Sequence, residues 1–147
     1  MSQRVDMMQL APDSYKAVFA LQQHVQSKLP TDLLELVKLR ASMVNSCVFC
    51  IDMHSTDALE AGEDGRRLFA VAAWEESPWF TPRERAAFAL TDAITRLDGG
   101  VNQEVWDTAI DTFGEAQTVE LVFAIATINV WNRLAISTHM TPPPLAS

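Results

Sequence analysis

Basic residues are scarce in this sequence. Lysine and arginine together number 11 against 19 aspartates and glutamates, so the formal net charge is −8. A negative surface repels phosphate backbones and anionic lipid, and we therefore expect neither nucleic acid nor a membrane surface as a partner. The first residues also lack the basic stretch and apolar run of a signal peptide, which predicts a soluble, cytoplasmic protein.

Glycine and proline occur in few places, and strand patterns are lacking. The five glycines and seven prolines all fall between apolar-periodic segments or at their starts, as helices require. No alternating apolar run is bounded by hairpin turns. We predict an all-α fold, with one domain of about seven helices over residues 1–147. A loose tail is expected from about residue 141, because Pro142, Pro143 and Pro144 exclude a helix there.

The apolar periodicity locates the helices. They are expected at about residues 13–29, 31–44, 45–61, 63–74, 81–97, 102–113 and 115–138. The start of the fifth is the clearest, since Thr81 can cap it, Pro82 suits its first position and Glu84 completes a capping box. Gly62 and Gly114 stand where helices are expected to end.

The last predicted helix is apolar almost all round its centre. Such a helix is typical of a buried strut or a subunit contact. The run from Val119 to Ile136 is long enough to span a membrane, but it contains Asn129, Asn132 and Arg133. These polar side chains would be costly in hydrocarbon, so we predict no membrane span.

Only two cysteines occur, Cys47 and Cys50, and only two residues separate them. A disulfide across so short a loop restricts the unfolded chain little and makes a weak structural bridge. In a reducing compartment a close pair favours metal binding or redox chemistry. If Asn45 or Ser46 caps the third helix, both thiols lie near its start, where unpaired N–H groups and the helix dipole favour a thiolate.

His54 follows Cys50 by one helical turn, so the imidazole shares a helix face with both thiols. It could take the Cys50 proton, and the second thiol could resolve an oxidised intermediate. Three alternatives remain open: buried apolar cysteines, a zinc site completed by His54 and a carboxylate, and a non-enzymatic redox sensor. Glu35 has two open roles, orienting His54 or pairing with Lys38 at the surface.

The spacing of these residues resembles a known signature. Glu35, Cys47, Cys50 and His54 are separated by eleven, two and three residues, as in the alkylhydroperoxidase D branch of the carboxymuconolactone decarboxylase family. The similarity extends over about residues 15–138. The resemblance implies an all-helical protein that assembles as a trimer or hexamer, with active sites near subunit contacts. It also implies thiol-dependent peroxidase or disulfide-reductase chemistry without metal or haem.

The resemblance assigns a role to each residue of the signature. Cys50 would be the buried thiol that attacks a hydroperoxide, and Cys47 the more exposed partner that closes the disulfide and meets a dithiol protein or small-thiol reductant. His54 would be the base, oriented by Glu35. Some relatives carry a histidine just before the second cysteine, but Phe49 stands there, so the relay would be shorter. The implied activity is an oxidoreductase acting on peroxide as acceptor, and the cysteine pair argues against lactone decarboxylation.

Aromatic residues give an independent reason to expect assembly. The sequence has four tryptophans, Trp74, Trp79, Trp106 and Trp131. Together with the apolar last helix they provide more apolar surface than one small helical domain easily buries, which predicts a homo-oligomer. The alternative is that all four lie in the core of a single chain.

Overall fold

A computed structural model describes residues 2–145, and these residues form helices and connecting turns. The helices are Met7–Leu10 (α1), Pro12–Gln26 (α2), Thr31–Val44 (α3), Val48–Glu60 (α4), Gly65–Ala70 (α5), Pro82–Arg96 (α6) and Gln103–Thr138 (α7), with a 3₁₀ turn at Val71–Ala73. No strand occurs within the described range, so the predicted all-α class is confirmed. Residues 141–145 form no helix, and the rest of the predicted tail, 146–147, lies outside the described residues, as does residue 1.

The start of α6 forms the predicted capping box. The Thr81 hydroxyl accepts a hydrogen bond from the Glu84 backbone N–H at 3.2 Å, and the Glu84 carboxylate accepts one from the Thr81 N–H at 2.8 Å. Pro82 occupies the first helical position, where its missing N–H costs nothing. All three features are local in sequence, and all three predictions are confirmed.

Two predicted helices, 102–113 and 115–138, are joined in α7 with a break between them. The break lies at Gly114, whose φ of 76° and ψ of 164° are not helical. Only glycine adopts this backbone region readily. Gly114 therefore separates the two segments at the predicted position, while the helical hydrogen bonding resumes beyond it.

The connection from α3 to α4 differs from the expectation. Ser46 has a φ of 57°, and the N–H groups of Ser46 and Cys47 bond back to the carbonyls of Met43 and Ser42. This is a Schellman ending of α3. Neither Asn45 nor Ser46 caps α4, because both belong to that ending, and Cys47 becomes the N-cap residue instead.

The α3 helix lies at the centre of the molecule. Every residue from Leu33 to Ser42 is buried, and the helix packs against α4, α6 and α7. Leu34 and Val37 join an apolar cluster with α6 and α7, while Leu36 and Leu39 join a second one that includes α4. The polar side chains of α3 are therefore buried along with the apolar ones.

By length and composition, α7 is one helix of the described residues that could cross a membrane. A long core helix passes the same test, and α7 packs against α2, α3 and α6. Its inner face buries Leu121, Ile125 and two asparagines, Asn129 and Asn132. The helix thus forms the strut expected from its composition, and it carries polar side chains into the interior.

Candidate active site

The two cysteines meet at the start of α4. Cys47 is its N-cap residue and Cys50 lies in its first turn. Both thiols are free, and their sulfurs lie 2.8 Å apart in hydrogen-bond contact. Their exposed fractions are 2% and 1%. Both thiols are therefore almost fully buried, including Cys47, which the resemblance implied to be the more exposed of the two.

The surroundings of the two thiols shift their pKa values in opposite directions. The hydrogen bond between the two sulfurs lowers the pKa of Cys47 to about 7 against the opposing effect of burial, and the backbone N–H groups of Cys50 and Phe49 and the side chain of Asn132 also lower it. The same sulfur–sulfur contact raises the pKa of Cys50, as do burial and the charge on Cys47. Of the two thiols, Cys47 is therefore the one that ionises first.

Asn132 of α7 stands beside both sulfurs and was missed as a site residue in the sequence. Its side chain is fully buried, donates to the Ser42 hydroxyl at 3.0 Å and accepts from the Asn45 amide at 2.9 Å. The Asn132 side chain also lowers the pKa of each thiol. The available signal was a pair of asparagines within an otherwise apolar helix, since such groups are buried only with partners.

Glu35 makes both of the contacts that the sequence left open. One carboxylate oxygen lies 2.9 Å from His54 Nδ1 and the other accepts from Lys38 Nζ at 3.0 Å. All three side chains are buried, so the pair with Lys38 is not at the surface. Burial tends to raise the pKa of Glu35, but the hydrogen bonds and charges of His54 and Lys38 outweigh it and hold the pKa below its usual value.

The hydrogen-bond partner of His54 is Glu35 rather than a thiol. Among the described residues no hydrogen bond joins its ring to either sulfur, and Nδ1 is engaged by Glu35. The metal-ligating atoms that do come within 4.8 Å of one another belong to Glu35, His54 and Asp57, without a sulfur. The proposed zinc set of both cysteines, His54 and a carboxylate is therefore not assembled in this arrangement.

Each thiol borders its own opening. Cys50 lines a cavity of about 140 Å³ together with Tyr15, Phe19, Gln22, Phe49, Met53, Trp131, Ala135 and Met140. Cys47 lines a groove of about 210 Å³ together with Ser46, Val48, Phe49, Ala135, Ile136, His139, Met140 and Thr141. Three residues, Phe49, Ala135 and Met140, belong to both openings. The two openings are thus neighbours with mainly apolar walls, and each borders one of the two cysteines.

Fold and site together define a small all-helical protein with a buried dithiol. The chain belongs to the carboxymuconolactone decarboxylase family, whose sequence profile matches residues 12–93. It is 37% identical over 139 residues to the uncharacterized protein YdfG of Bacillus subtilis, covering 93% of this chain and 95% of YdfG. The predicted family membership is confirmed.

Solved structures show the same fold. ATU0492 of Agrobacterium tumefaciens, a protein of unknown function proposed as an AhpD antioxidant defence protein, is 34% identical, with a TM-score of 0.95 over 98% of this chain and 100% of its own. The debrominase Bmp8, in complex with 2,3,4-tribromopyrrole, is 20% identical, with a TM-score of 0.83 over 92% of this chain and 74% of its own. The expected alkylhydroperoxidase D-like fold is confirmed; at its identity, Bmp8 informs on the fold alone.

Proposed function

We propose that this protein is a thiol-dependent hydroperoxide reductase, an oxidoreductase acting on peroxide as acceptor. Cys47 and Cys50 carry the electrons, and His54 with Glu35 relays protons. The observation that carries the proposal is the pair of free, buried sulfurs 2.8 Å apart, one of which borders an apolar cavity. Membership of a family with AhpD-like relatives supports it.

The chemistry requires two steps on sulfur. The Cys50 thiol loses its proton to the His54 relay and attacks one oxygen of the hydroperoxide, the O–O bond breaks, and the leaving alkoxide takes that proton back, so that a sulfenic acid and an alcohol result. Cys47 then attacks the Cys50 sulfur, which forms the disulfide and releases water. A dithiol protein or a small thiol returns two electrons and restores the pair. The groove beside Cys47 is the place where that reductant would meet the disulfide.

The buried hydrogen bond to Glu35 suits His54 to proton transfer. Glu35 fixes the ring through Nδ1, which leaves Nε2 as the free nitrogen. His54 also lines a crevice of about 10 Å³ with Lys38 and Trp131, and Trp131 lines the cavity of Cys50 as well. A space of that size accommodates about one water molecule, which could connect the imidazole with the reacting groups.

The test is a peroxide titration of the fully reduced protein. One equivalent of an organic hydroperoxide should consume both thiols of each chain and give an intramolecular Cys47–Cys50 disulfide by mass spectrometry. Turnover with a dithiol reductant should then vanish in Cys50→Ser and fall by roughly 10²–10⁴-fold in His54→Ala. If both thiols survive peroxide, the proposal is wrong. A disulfide that no thiol reductant can reopen would instead indicate a redox sensor.

A further inference from the structure

We propose that Gln22 of α2 recognises the peroxide group of the substrate. Its side-chain amide accepts a hydrogen bond from the terminal O–H of a hydroperoxide and donates one to the oxygen that carries the alkyl group. These two hydrogen bonds place the O–O bond between Cys50 and His54. The inference rests on the proposed function and adds to it a substrate-binding residue that the sequence did not indicate.

The wall of the Cys50 cavity is mainly apolar, and Gln22 contributes its side-chain amide. An amide offers two N–H donors and an acceptor oxygen at one place, and Gln22 is the residue of this wall that has one. Among residues 2–145, no hydrogen bond engages the Gln22 side chain, which is half-buried. An amide at an apolar wall without a protein partner is available to a ligand that carries oxygen atoms.

Gln22 also borders the crevice beside His54. The cavity of about 140 Å³ and the crevice of about 10 Å³ share two lining residues, Gln22 and Trp131. His54 lines the crevice and Cys50 lines the cavity, but neither lines both. The polar group of Trp131 is an indole N–H, a donor that is enclosed and has no partner among the described residues. Gln22 is thus the residue of this boundary that can both accept and donate a hydrogen bond.

The face of α2 that lines the cavity runs from the surface to the interior. Tyr15, Phe19 and Gln22 follow one another at offsets of four and three residues, so they share this face. Phe19 is 43% exposed, Gln22 is half-buried, and Val25, three residues further along, is 2% exposed. The amide therefore lies at the inner end of the face, beyond two aromatic rings. An alkyl hydroperoxide fits this order, with its alkyl group on the rings and its peroxide group at the amide.

The N–H group of the Gln22 amide acts on the oxygen that leaves. The Cys50 sulfur attacks the terminal oxygen, an S–O bond forms, the O–O bond breaks, and two electrons pass from sulfur to the oxygen that carries the alkyl group. The amide N–H stabilises the negative charge that develops there. The proton that Cys50 gave to the His54 relay then neutralises this oxygen. A sulfenic acid and an alcohol result, and Gln22 keeps its own protons.

The experiment measures the reaction of Cys50 alone, in a Cys47→Ser background that leaves one thiol in the chain. Single-turnover oxidation by tert-butyl hydroperoxide is followed by trapping the sulfenic acid. Alkylation by iodoethane, a reagent without oxygen, is measured on the same protein. Gln22→Met removes the amide and keeps a side chain of similar length. We expect it to slow the oxidation by roughly 10–10²-fold and to leave the alkylation rate unchanged.

Gln23→Met is the matched control, because Gln23 is an exposed glutamine of the same helix and lines neither the cavity nor the crevice. It should leave both rates unchanged. Gln22→Ala, whose short side chain cannot fill the cavity, should slow the oxidation as Gln22→Met does. An unchanged oxidation rate in Gln22→Ala, or an equal loss of its two rates, would overturn the inference. Wild-type thiols that survive peroxide would instead refute the proposed function, a result that does not depend on Gln22.

Discussion

The charge of the dithiol depends on a few donors around the sulfurs. Because the pKa of Cys47 is lowered to about 7, alkylation of the reduced protein should follow an ionisation near pH 7 rather than near pH 9. Asn132→Leu removes an amide that lowers the pKa of both thiols. The pH at which the alkylation rate is half its maximum, the alkylation midpoint, should therefore be higher in this variant. The measurement is the rate of reaction with a small alkylating agent as a function of pH.

Asn129→Leu is the matched control for Asn132→Leu. Asn129 is also a buried asparagine of α7, and it bonds to Asn45 and Thr95. Its loss should cost comparable stability, because each variant removes one of the two buried amide oxygens that accept from Asn45. The alkylation midpoint should stay in place, since its amide is absent from the groups that set the pKa of Cys47. If the alkylation midpoint shifts equally in both variants, a general loosening of the fold, and not the loss of the Asn132 amide, changes the acidity of the thiols.

Individual residues differ in how far the sequence reveals them. The spacing of Cys47, Cys50 and His54 predicts one helix and one face, because these residues are neighbours along the chain. Asn132 is 90 residues from Ser42, and only the packing of α7 on α3 brings them together. Periodicity cannot indicate such a contact. For the same reason the sequence could not predict that the Glu35–Lys38 pair is buried. The spacing indicated the pair, but it did not indicate that α3 lies at the centre of the molecule.

The long helix α7 depends on a glycine at its break. Gly114→Ala should destabilise the protein by about 1–3 kcal/mol, because alanine is strained at a φ of 76° even though its Cβ would meet no atom within 4 Å. Gly65→Ala is the control, since that glycine begins α5 and its Cβ would contact Leu59 at an ordinary 3.6 Å. Thermal unfolding followed by circular dichroism compares them; equal melting temperatures for both variants would contradict the explanation.

Helix ends were predictable where glycine or a capping box marks them. Gly62, with a φ of 97°, ends α4 as expected. Ser46 ends α3 in the same left-handed region, and serine rarely adopts it. The sequence therefore suggested a cap at Asn45 or Ser46 and placed Cys47 one position too far into α4. The correction matters chemically, because it places Cys47 at the N-terminal end of α4, where the helix dipole is positive.

The stability of the whole molecule should depend on pH through Glu35. Its pKa is lower in the folded protein than the ordinary 4.5, so folding is stabilised above pH 4.5 by the ionised carboxylate. That stabilisation is lost as the pH falls through the lower folded pKa. Glu35→Gln should therefore destabilise most near neutral pH, with the difference from wild type narrowing in acid. Urea unfolding at a series of pH values tests this, with Glu60→Gln, an exposed site on α4, as control.

The surface of the chain supports the expected assembly. The tryptophans do not all lie in the core: Trp74 is buried, Trp79 is 42% exposed, and Trp106 and Trp131 are half-buried. On α7, Val119, Phe123 and Val130 are exposed at offsets of four and seven residues, so they share one face. A second copy of the chain that packs on this stripe would bury exposed apolar side chains, on the same helix that carries Asn132.

We therefore expect the protein to sediment as a homo-oligomer, trimeric or hexameric, rather than as a 16.3 kDa particle at micromolar concentration. Phe123→Asp should shift it toward the single chain, because burying an unpaired carboxylate in the contact is costly. Phe69→Asp, at an 81% exposed phenylalanine on α5 away from the stripe, should leave the oligomer intact. A wild-type protein that sediments as a single chain would rule out assembly, and dissociation by both variants would place the contact elsewhere than on α7.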